Sequence, residues 1–506
     1  MIVALLVVPL LGAAVLGALA TRPSTADGPL PRWVAVATAA VAFGLSLALI
    51  PGTRGPAPGL VVDPRHEVDA SWIPAIDVRF HVGVDGVSLP LVVLTTLLTL
   101  LGTILTLQKT RRVAAFTALV LLLEVGLLGT FVALDLVLFF VAFEIVLAPM
   151  YFLIADWGGG PRARHAATKF ILYTLLGSVL VLVGMLAVYA SAGTFDIVAL
   201  SERGGAGIAH GTQVLAFAAL FAGFAVKSPL WPLHTWLPDA HTEAPTVGSV
   251  LLAGALLKMG TYGLVRVALP VLPEGARTLA PVLGVLAVAG IVVGSLCCLV
   301  QTDAKRLIAY SSVGHMGFVL LGISTLTPTG VNAALLGNIA HGLITGLLFF
   351  LVGGIKDRYG TADLRVLGSG LAERLPRLGA LFVLASVASL GLPGLAGFWG
   401  EAFALLASFR PAPDLSRPLY VVLLAVAAAG TAITAAYFLR LLRSLVMGPD
   451  VDTGSPRVGG AADVRPVELV AWVPLAMLTV VVGLYPRLVL GLTDAPVRAL
   501  LGAFGG

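Results

Sequence analysis

Long apolar runs recur along the whole chain, and they constrain its fold more than any other feature. Each has about the 20 residues that an α-helix needs to cross a hydrocarbon core of about 30 Å. The runs fall at 1–20, 32–50, 88–107, 113–133, 134–155, 168–190, 212–228, 247–268, 279–300, 306–325, 331–352, 379–408, 419–442 and 468–490. They are continuous and lack the alternation of a membrane β-barrel. The sequence therefore predicts an all-α polytopic membrane protein of about fourteen transmembrane helices.

Composition and charge agree with a lipid environment. Of 506 residues, 58% are hydrophobic and 11% are charged, whereas a soluble domain has about 45–50% apolar and about 25% charged residues. The net charge of +5 does not indicate a nucleic-acid partner, because the Lys and Arg residues lie mainly in short loops. Loops after odd-numbered helices hold about twice as many of them as the opposite loops, which predicts that these loops face the cytoplasm of a bacterial plasma (inner) membrane. With an even number of helices, both termini are expected outside the cytoplasm.

Two helices are interrupted by proline and glycine in a similar way. Helix seven contains the segment Gly223–Pro232, and helix twelve contains Ser389–Glu401. Because the breaks lie five helices apart, the two copies would have opposite orientation, which predicts inverted repeats of helices 4–8 and 9–13. A broken helix at membrane depth is tolerated where its free backbone groups line a polar cavity. The alternative is a simple proline kink in each helix.

This pattern divides the chain into four parts. They are residues 1–110 with helices 1–3 and a long extracytoplasmic loop, 111–270 with the first repeat, 275–445 with the second repeat, and 446–506 with a cytoplasmic loop and helix 14. We assign no role to the charged segment from Pro51 to about His81.

Five ionisable residues stand inside the apolar helices. A charged side chain at the centre of a membrane helix costs about 2.5–3.5 kcal/mol, so five of them need a shared explanation. Opposite charges on neighbouring helices can pair, and burial disfavours the charged form, so such groups can take up and release protons. They are Glu124 in helix four, Glu144 in helix five, Lys227 before the break in helix seven, Lys258 in helix eight, and Glu401 after the break in helix twelve.

Two histidines extend this series. His315 and His341 are each central to a helix, and imidazole both accepts and donates protons near neutral pH. They are candidates for a proton wire between Lys258 and Glu401. The alternative is that each imidazole only forms a hydrogen bond with a backbone carbonyl in the core.

Further charged residues lie near the ends of helices and are weaker candidates. Lys169 is near the start of helix six and can extend to the membrane surface. Asp303 and Lys305 precede helix ten. We expect them to form a salt bridge in a loop, with a funnel entrance as the alternative.

No motif predicts a metal or a redox cofactor in this chain. The loop His234–Pro245 holds two histidines and two acids. Pro238 and Pro245 prevent the helical spacing of metal-ligand pairs, so we expect a polar cap over a channel. Cys297 and Cys298 are the two cysteines, and they lack cluster spacing. No Gly-x-Gly-x-x-Gly or Walker motif occurs, so we expect the chain to bind no NADH or ATP.

The region from helix seven to helix eight resembles a known family. The resemblance rests on Lys227-Ser-Pro-Leu-Trp-Pro232, Asp239-Ala-His-Thr-Glu-Ala-Pro245 and Leu256-Leu-Lys-Met-Gly260. These motifs are similar to those of the antiporter-like subunits of respiratory complex I, and nearly the whole chain fits the helical plan of that family.

The resemblance implies a role for each of the buried charges. Glu144 and Lys227 would form the buried input pair, with Glu124 as a second acid near the input. Lys258 would be the central relay, and Glu401 would be the output toward the outside.

Three features resemble subunit M within this family, the bacterial counterpart of mitochondrial subunit 4. The loop Asp239–Pro245 is more similar to M than to L or N. Glu401 stands where L and N tend to carry lysine. The chain also stops soon after helix fourteen, without the long lateral helix of subunit L.

The resemblance implies a proton-translocating membrane-arm subunit of a bacterial NADH:quinone oxidoreductase. Quinone reduction elsewhere in the complex would drive proton transfer through this chain, which would carry no redox centre. NADH, FMN, iron–sulfur clusters and quinone would bind to other subunits. Antiporter-like subunits L and N would flank this one in the lipid bilayer.

Three alternatives stay open from the residues. A subunit of a multisubunit sodium/proton antiporter predicts sodium-dependent proton movement without NADH. A subunit of a membrane-bound hydrogenase-type or formate-oxidising complex is the second alternative. The third is a passive scaffold, in which the buried charges can be neutralised without effect.

Overall fold

The computed structural model describes residues 1–22, 24, 26–53, 61–108, 110–448 and 462–504. Part of the charged segment that follows Pro51, and most of the predicted cytoplasmic loop after residue 446, lie outside the described residues. Within the described residues, the chain is a bundle of helices with one two-stranded sheet.

Eleven of the described helices are long and apolar enough to cross a membrane, by length and composition. They are Ile2–Ala20, Pro29–Thr53, Val113–Val132, Leu136–Trp157, Ala163–Ala192, Thr246–Val271, Pro273–Val300, Ala304–Ser324, Pro328–Tyr359, Arg417–Val446 and Pro466–Leu484. Other apolar helices are Leu89–Leu105, His210–Lys227, Pro376–Ser389 and Ala396–Phe409. The predicted helical, multi-pass membrane fold is confirmed, while the number of fourteen helices stays a prediction.

Short helices connect these elements. They are Ile197–Arg203, Trp236–Glu243, Leu364–Leu367 and Leu371–Arg374, and the helix Arg487–Leu500 follows the last apolar helix. The segment that was expected to be a polar cap is partly helical: Trp236–Glu243 forms about two turns, with Pro238 in its first turn and Pro245 after its end. The expectation that Pro238 prevents helical spacing here is wrong, because the N–H groups of the first helical turn have no partner within the helix, so proline loses no hydrogen bond there.

The break in predicted helix seven is present. His210–Lys227 ends at Lys227, and the next helix begins at Trp236. Pro229 and Pro232 lie between them. Proline has no N–H to donate and clashes with the preceding turn, which explains why the helix ends here.

The break in predicted helix twelve is also present. Pro376–Ser389 and Ala396–Phe409 are separated by a short irregular segment. In that segment Gly391 and Gly394 have φ values of +74° and +95°, which glycine adopts without a steric penalty. The inverted relation between the two repeats stays a prediction.

Predicted helix five is interrupted beside Glu144. Its two parts, Leu136–Ile145 and Leu147–Trp157, meet at Val146. Pro149 in the second part cannot donate a hydrogen bond to the residue four positions earlier. Glu144 therefore stands in the last turn before a helix interruption, not in the middle of a continuous helix.

The basic loops come together on one face of the bundle. Arg32 donates hydrogen bonds to the carbonyls of Leu107 and Gln108 at 2.8 and 2.5 Å. Arg465 donates to the side-chain oxygen of Gln108 at 2.8 Å. These contacts join three loops that the charge pattern assigns to the same side. The assignment of that side to the cytoplasm stays a prediction.

A β-hairpin lies between the second and third apolar helices, where the sequence predicts no regular element. β1 (Arg65–Ile73) pairs antiparallel with β2 (Val78–Val84). The hairpin docks on the bundle because Leu134 donates its N–H to the carbonyl of His81 at 2.9 Å.

His81 is buried between two carboxylates from different elements. Its Nδ1 lies 2.6 Å from Asp196 Oδ2, and its Nε2 lies 2.6 Å from Glu67 Oε1 on β1. Burial opposes the charged imidazolium, but hydrogen bonds to Asp196 and Glu67, together with the charge of Asp69, outweigh burial and raise the pKa of His81 above 6.5. Protonated His81 thus links the hairpin to the bundle.

We expect this link to be strongest below pH 6.5 and to weaken as the pH rises through the raised pKa of His81. Hydrogen exchange of residues 65–84, corrected for its intrinsic pH dependence, should accelerate over that interval. His81→Gln should exchange fast at every pH. An unchanged pH profile in His81→Gln would show that another group controls the hairpin.

Candidate functional site

Lys258 lies at the centre of a helix that is buried along nearly its whole length. All residues from 247 to 271 are buried, and Lys258 itself is 0% exposed. Wide π-turns at Leu252–Leu256 and Leu264–Ala268 flank it. Such turns leave backbone groups out of the regular ladder and are frequent at functional sites.

The ammonium of Lys258 has two partners. It donates to the carbonyl of Ala253 in the preceding π-turn. It also lies 2.6 Å from Nδ1 of His341. Because an ammonium can only donate, Nδ1 of His341 must accept, and the imidazole then carries its hydrogen on Nε2. The structure thus brings together two of the predicted residues.

A small cavity continues this row of polar groups. Nε2 of His341 has no hydrogen-bond partner among the described residues, and His341 and His315 both line a cavity of about 30 Å³. That volume holds one or two water molecules. The two ring centroids are 5.9 Å apart, and Ser389 and Glu401 line the same cavity, so a water there would lie between His341 and the polar groups around His315.

His315 connects the cavity to Glu401. Its Nδ1 lies 2.9 Å from Oε1 of Glu401, and its Nε2 lies 2.9 Å from Oγ of Ser389. Ser389 and Glu401 stand on opposite sides of the break in predicted helix twelve. The break therefore positions a hydroxyl and a carboxylate on the two nitrogens of one imidazole.

Lys227 and Glu144 are not in direct contact. Nζ of Lys227 and Oε1 of Glu144 have no hydrogen-bond partner among the described residues, and Nζ lies 4.4 Å from the centroid of the Phe143 ring. Phe143 therefore holds the cation through its aromatic face. The expected buried pair is not formed in this structure, although the two groups interact through their charges.

The break after Lys227 is packed against the turn that follows Lys258. A Cβ at Gly260 would lie 2.2 Å from Oγ of Ser228 and 2.4 Å from the carbonyl of Phe224. Only glycine allows this approach of the two helices. Oγ of Ser228 is buried and has no partner among the described residues, so an unsatisfied hydroxyl lies where the break meets the Lys258 helix.

Glu124 stands apart from the row. It is 0% exposed, and neither carboxylate oxygen has a hydrogen-bond partner among the described residues. Thr99 is its polar neighbour, but the hydroxyl of Thr99 donates to the carbonyl of Thr95 at 3.0 Å. The structure does not connect Glu124 to the other predicted residues.

Lys305 is a buried group whose partner the sequence did not predict. Its ammonium donates to the carbonyl of Ala244 at 2.7 Å, and the carboxylate of Asp303 accepts from the backbone N–H of Arg306 at 2.9 Å. The expected salt bridge between Asp303 and Lys305 is wrong, because each side chain forms a hydrogen bond with a backbone group instead. Lys169 instead pairs with Asp239 at 2.7 Å near the surface.

His241 is the second group that sequence reasoning passed over. It is 0% exposed, both ring nitrogens lack a partner among the described residues, and its ring stacks on Phe349 with centroids 4.4 Å apart. The charges of Lys305 and Lys258 both act on it. The sequence shows a histidine in a polar segment that contains prolines, but it does not show that this histidine is buried.

The arrangement is suited to proton transfer and to little else. In the part of the chain that the structure describes, no group of three or more His, Cys, Asp or Glu side chains could hold a metal ion. The row from Lys258 through the two histidines to Glu401 consists of groups that both bind and release protons. Its helix breaks and cavity supply the polar surroundings that such groups need.

Comparisons with known proteins agree with this geometry. Residues 133–433 match the family described as NADH:quinone oxidoreductase/Mrp antiporter, transmembrane. NADH-quinone oxidoreductase subunit M of Rhodobacter capsulatus is 41% identical over 503 residues, which cover 97% of this chain and 94% of that protein.

Solved structures share the fold. A chain of respiratory complex I from Thermus thermophilus with bound NADH is 30% identical, covers 100% of both chains and has a TM-score of 0.84. A chain of the Mrp complex from Dietzia is 23% identical, covers 99% of both chains and has a TM-score of 0.83, which shows the fold alone. The chain belongs to the NADH:quinone oxidoreductase/Mrp antiporter transmembrane family, in the branch of subunit M of NADH-quinone oxidoreductase.

Proposed function

We propose that this chain translocates protons across the bacterial plasma membrane as a membrane-arm subunit of NADH:quinone oxidoreductase, by a relay that runs from Glu144 and Lys227 through Lys258 to Glu401. The observation that carries the proposal is the nearly continuous row Lys258, His341, cavity, His315, Glu401. Direct contacts of 2.6 and 2.9 Å join its ends, and the cavity between the histidines holds about one or two waters.

Proton uptake begins at the basic face. A cavity of about 880 Å³ lies there, and its charged lining residues include Arg111, Lys305, Lys356, Asp357, Arg465 and Glu468. We assign the next step to His241, a buried titratable group that interacts with the charges of both Lys258 and Lys305, and Lys305 lines this cavity. A proton from the cytoplasm therefore reaches Lys258 by way of His241.

Charge separation drives the proton onward. Lys227 and Glu144 lie close enough for their charges to interact, and the packing of Gly260 on Ser228 brings the Lys227 break next to Lys258. When a unit charge comes to about 10 Å from a titratable group, it shifts the free energy of protonation of that group by about 1.7 kcal/mol, at an effective dielectric constant of about 20. This shift changes the proton-binding constant more than tenfold. It favours the release of a proton from Lys258 to His341.

In this proposal, the other subunits of the complex supply the redox chemistry that drives the relay. NADH, FMN, iron–sulfur clusters and quinone belong to other subunits, whose redox reaction changes the charge balance at Glu144. Antiporter-like subunits L and N flank this chain in the bilayer. Both termini and the β-hairpin face outside, and the two repeats, 111–270 and 275–445, provide the uptake half and the release half.

Sodium dependence tests this function against that of a sodium/proton antiporter. We expect NADH-driven acidification of inverted membrane vesicles to persist when sodium is replaced by choline, because the relay has proton-binding groups throughout. A strain that lacks this subunit supplies the control for background acidification. Acidification that requires sodium, or a sodium gradient that moves protons without NADH, would favour the antiporter.

A further inference from the structure

A second buried cation lies further along the same helix as Lys258. Arg266 is 1% exposed, and its Nη2 donates to the carboxylate of Asp85. Asp85 is 5% exposed and also accepts from the backbone N–H groups of Val87 and Ser88, each at 3.0 Å. At a helical rise of about 1.5 Å per residue, Arg266 lies about 12 Å from Lys258 along the helix.

Tyr262 lies on the same helix between the two cations. Nε of Arg266 donates to its hydroxyl at 3.2 Å, and the hydroxyl donates to the carbonyl of Phe131 at 2.9 Å. The hydroxyl hydrogen is thereby directed to a backbone carbonyl, and its oxygen already accepts from a guanidinium. The hydroxyl of Tyr262 therefore donates one hydrogen bond and accepts another, and both have fixed partners.

None of these groups readily accepts a further proton. A guanidinium has five donors, has no acceptor and stays protonated in proteins. A proton on Asp85 would leave the charge of Arg266 buried without a counter-ion, which is strongly unfavourable. Arginine excludes protons from other membrane pores for the same electrostatic reason.

The ion pair lies on the hairpin side of the bundle and is covered there. Asp85 follows β2 directly. The next residue, Gly86, touches the C-terminal helix so closely that a Cβ would lie 1.8 Å from the carbonyl of Leu492. The packed helix leaves no room for a side chain at this turn. The turn that carries Asp85 is thus packed directly on the C-terminal helix, and the ion pair that Asp85 forms with Arg266 is shielded from solvent.

We propose that Arg266, Asp85 and Tyr262 form a proton-tight plug at the outer end of the first repeat. The plug prevents a proton on Lys258 from leaving directly to the outside, so that it leaves only through His341 and Glu401. Without the plug, protons would return through the first repeat and uncouple transport from quinone reduction. This inference rests on the proposed function, because it assigns a one-way exit to the same relay.

The test removes the ion pair as a whole. Replacing both partners of a buried pair by apolar residues preserves stability better than removing one, so the variant is Arg266→Met with Asp85→Leu. The purified whole complex is reconstituted in proteoliposomes, and the decay of an imposed pH gradient is followed with a pH-sensitive dye. We expect decay several-fold faster than in the wild type, with NADH oxidation by an artificial acceptor unchanged.

Two further variants locate the leak. Adding Lys258→Met to the double variant should restore slow decay, because the leak runs through Lys258. Ser46→Ala with Thr96→Val is the control: it removes an equally buried polar pair on the second and third apolar helices, in which both residues are 0% exposed and the two hydroxyl oxygens lie 2.8 Å apart. In this control the imposed pH gradient should decay as slowly as in the wild type. Wild-type decay in the double variant, or a leak that persists without Lys258, would overturn the proposal.

Arg266→Lys keeps the cation and its counter-ion, and it decides the question if the double variant does not assemble. An ammonium can give up a proton where a guanidinium cannot, so we expect a smaller but measurable leak. A tight Arg266→Lys complex would then overturn the proposal. Absence of NADH-driven acidification in the wild type would instead contradict the proposed function, so the two failures are distinguishable.

Discussion

Lys258→Met should abolish NADH-driven proton transport and reduce quinone reduction by at least about tenfold, because loss of a positioned proton carrier costs about 10²–10⁴-fold in enzymes. Methionine has a similar length and flexibility but no exchangeable proton. It would leave Nδ1 of His341 without its donor at 2.6 Å. The relay would then be interrupted at its centre.

Assembly of this variant should be normal, because the change removes a buried charge and retains the volume of the side chain. Lys169→Met is the matched control. Lys169 pairs with Asp239, but both side chains are about one quarter to one third exposed (26% and 30%), and they lie outside the row. We expect transport within error of the wild type. Normal proton transport in Lys258→Met would exclude Lys258 as the central relay.

Glu401→Gln should have the second largest effect. Glutamine keeps a polar side chain next to Nδ1 of His315, at the 2.9 Å contact, but it cannot take up the proton. We expect proton transport to fall at least about tenfold while His315 stays in position, since the loss concerns proton exchange and not packing. Vesicle acidification per NADH oxidised measures the loss.

Ser389→Ala is the control for Glu401→Gln, because it removes the hydrogen bond on the other nitrogen of the same imidazole. A neutral hydrogen bond contributes about 0.5–1.5 kcal/mol, typically about 1 kcal/mol, so we expect a loss of roughly fivefold. Equal losses in the two variants would show that Glu401 only orients His315. They would also contradict its role as the output.

The breaks of the helices could be predicted because their causes are local. Proline at 229 and 232, and glycine at 391 and 394, end helices through their own backbone chemistry. The β-hairpin could not be predicted in this way. Its strands contain register shifts after Arg65 and Ser71, which obscure an alternating pattern. Its docking depends on the contact between His81 and Asp196, which are 115 positions apart.

The candidate site residues could be named from the sequence, whereas the contacts that they form could not. A charge in an apolar helix is visible in the sequence, but Lys258 and His341 are 83 positions apart, and Arg266 and Asp85 are 181 apart. The expected contact between Glu144 and Lys227 is not formed because the ring of Phe143 holds the cation. Such choices depend on side-chain geometry that the sequence does not contain.

The most direct test of the account compares the wild type with Glu144→Gln in inverted membrane vesicles. NADH-driven acidification and quinone reduction are measured at matched abundance of the complex and matched NADH oxidation with an artificial acceptor. We expect both to collapse together in Glu144→Gln, because the buried charge that starts the cycle is lost. Persistence of both at wild-type rates would contradict it and would favour a scaffold or an independent transporter.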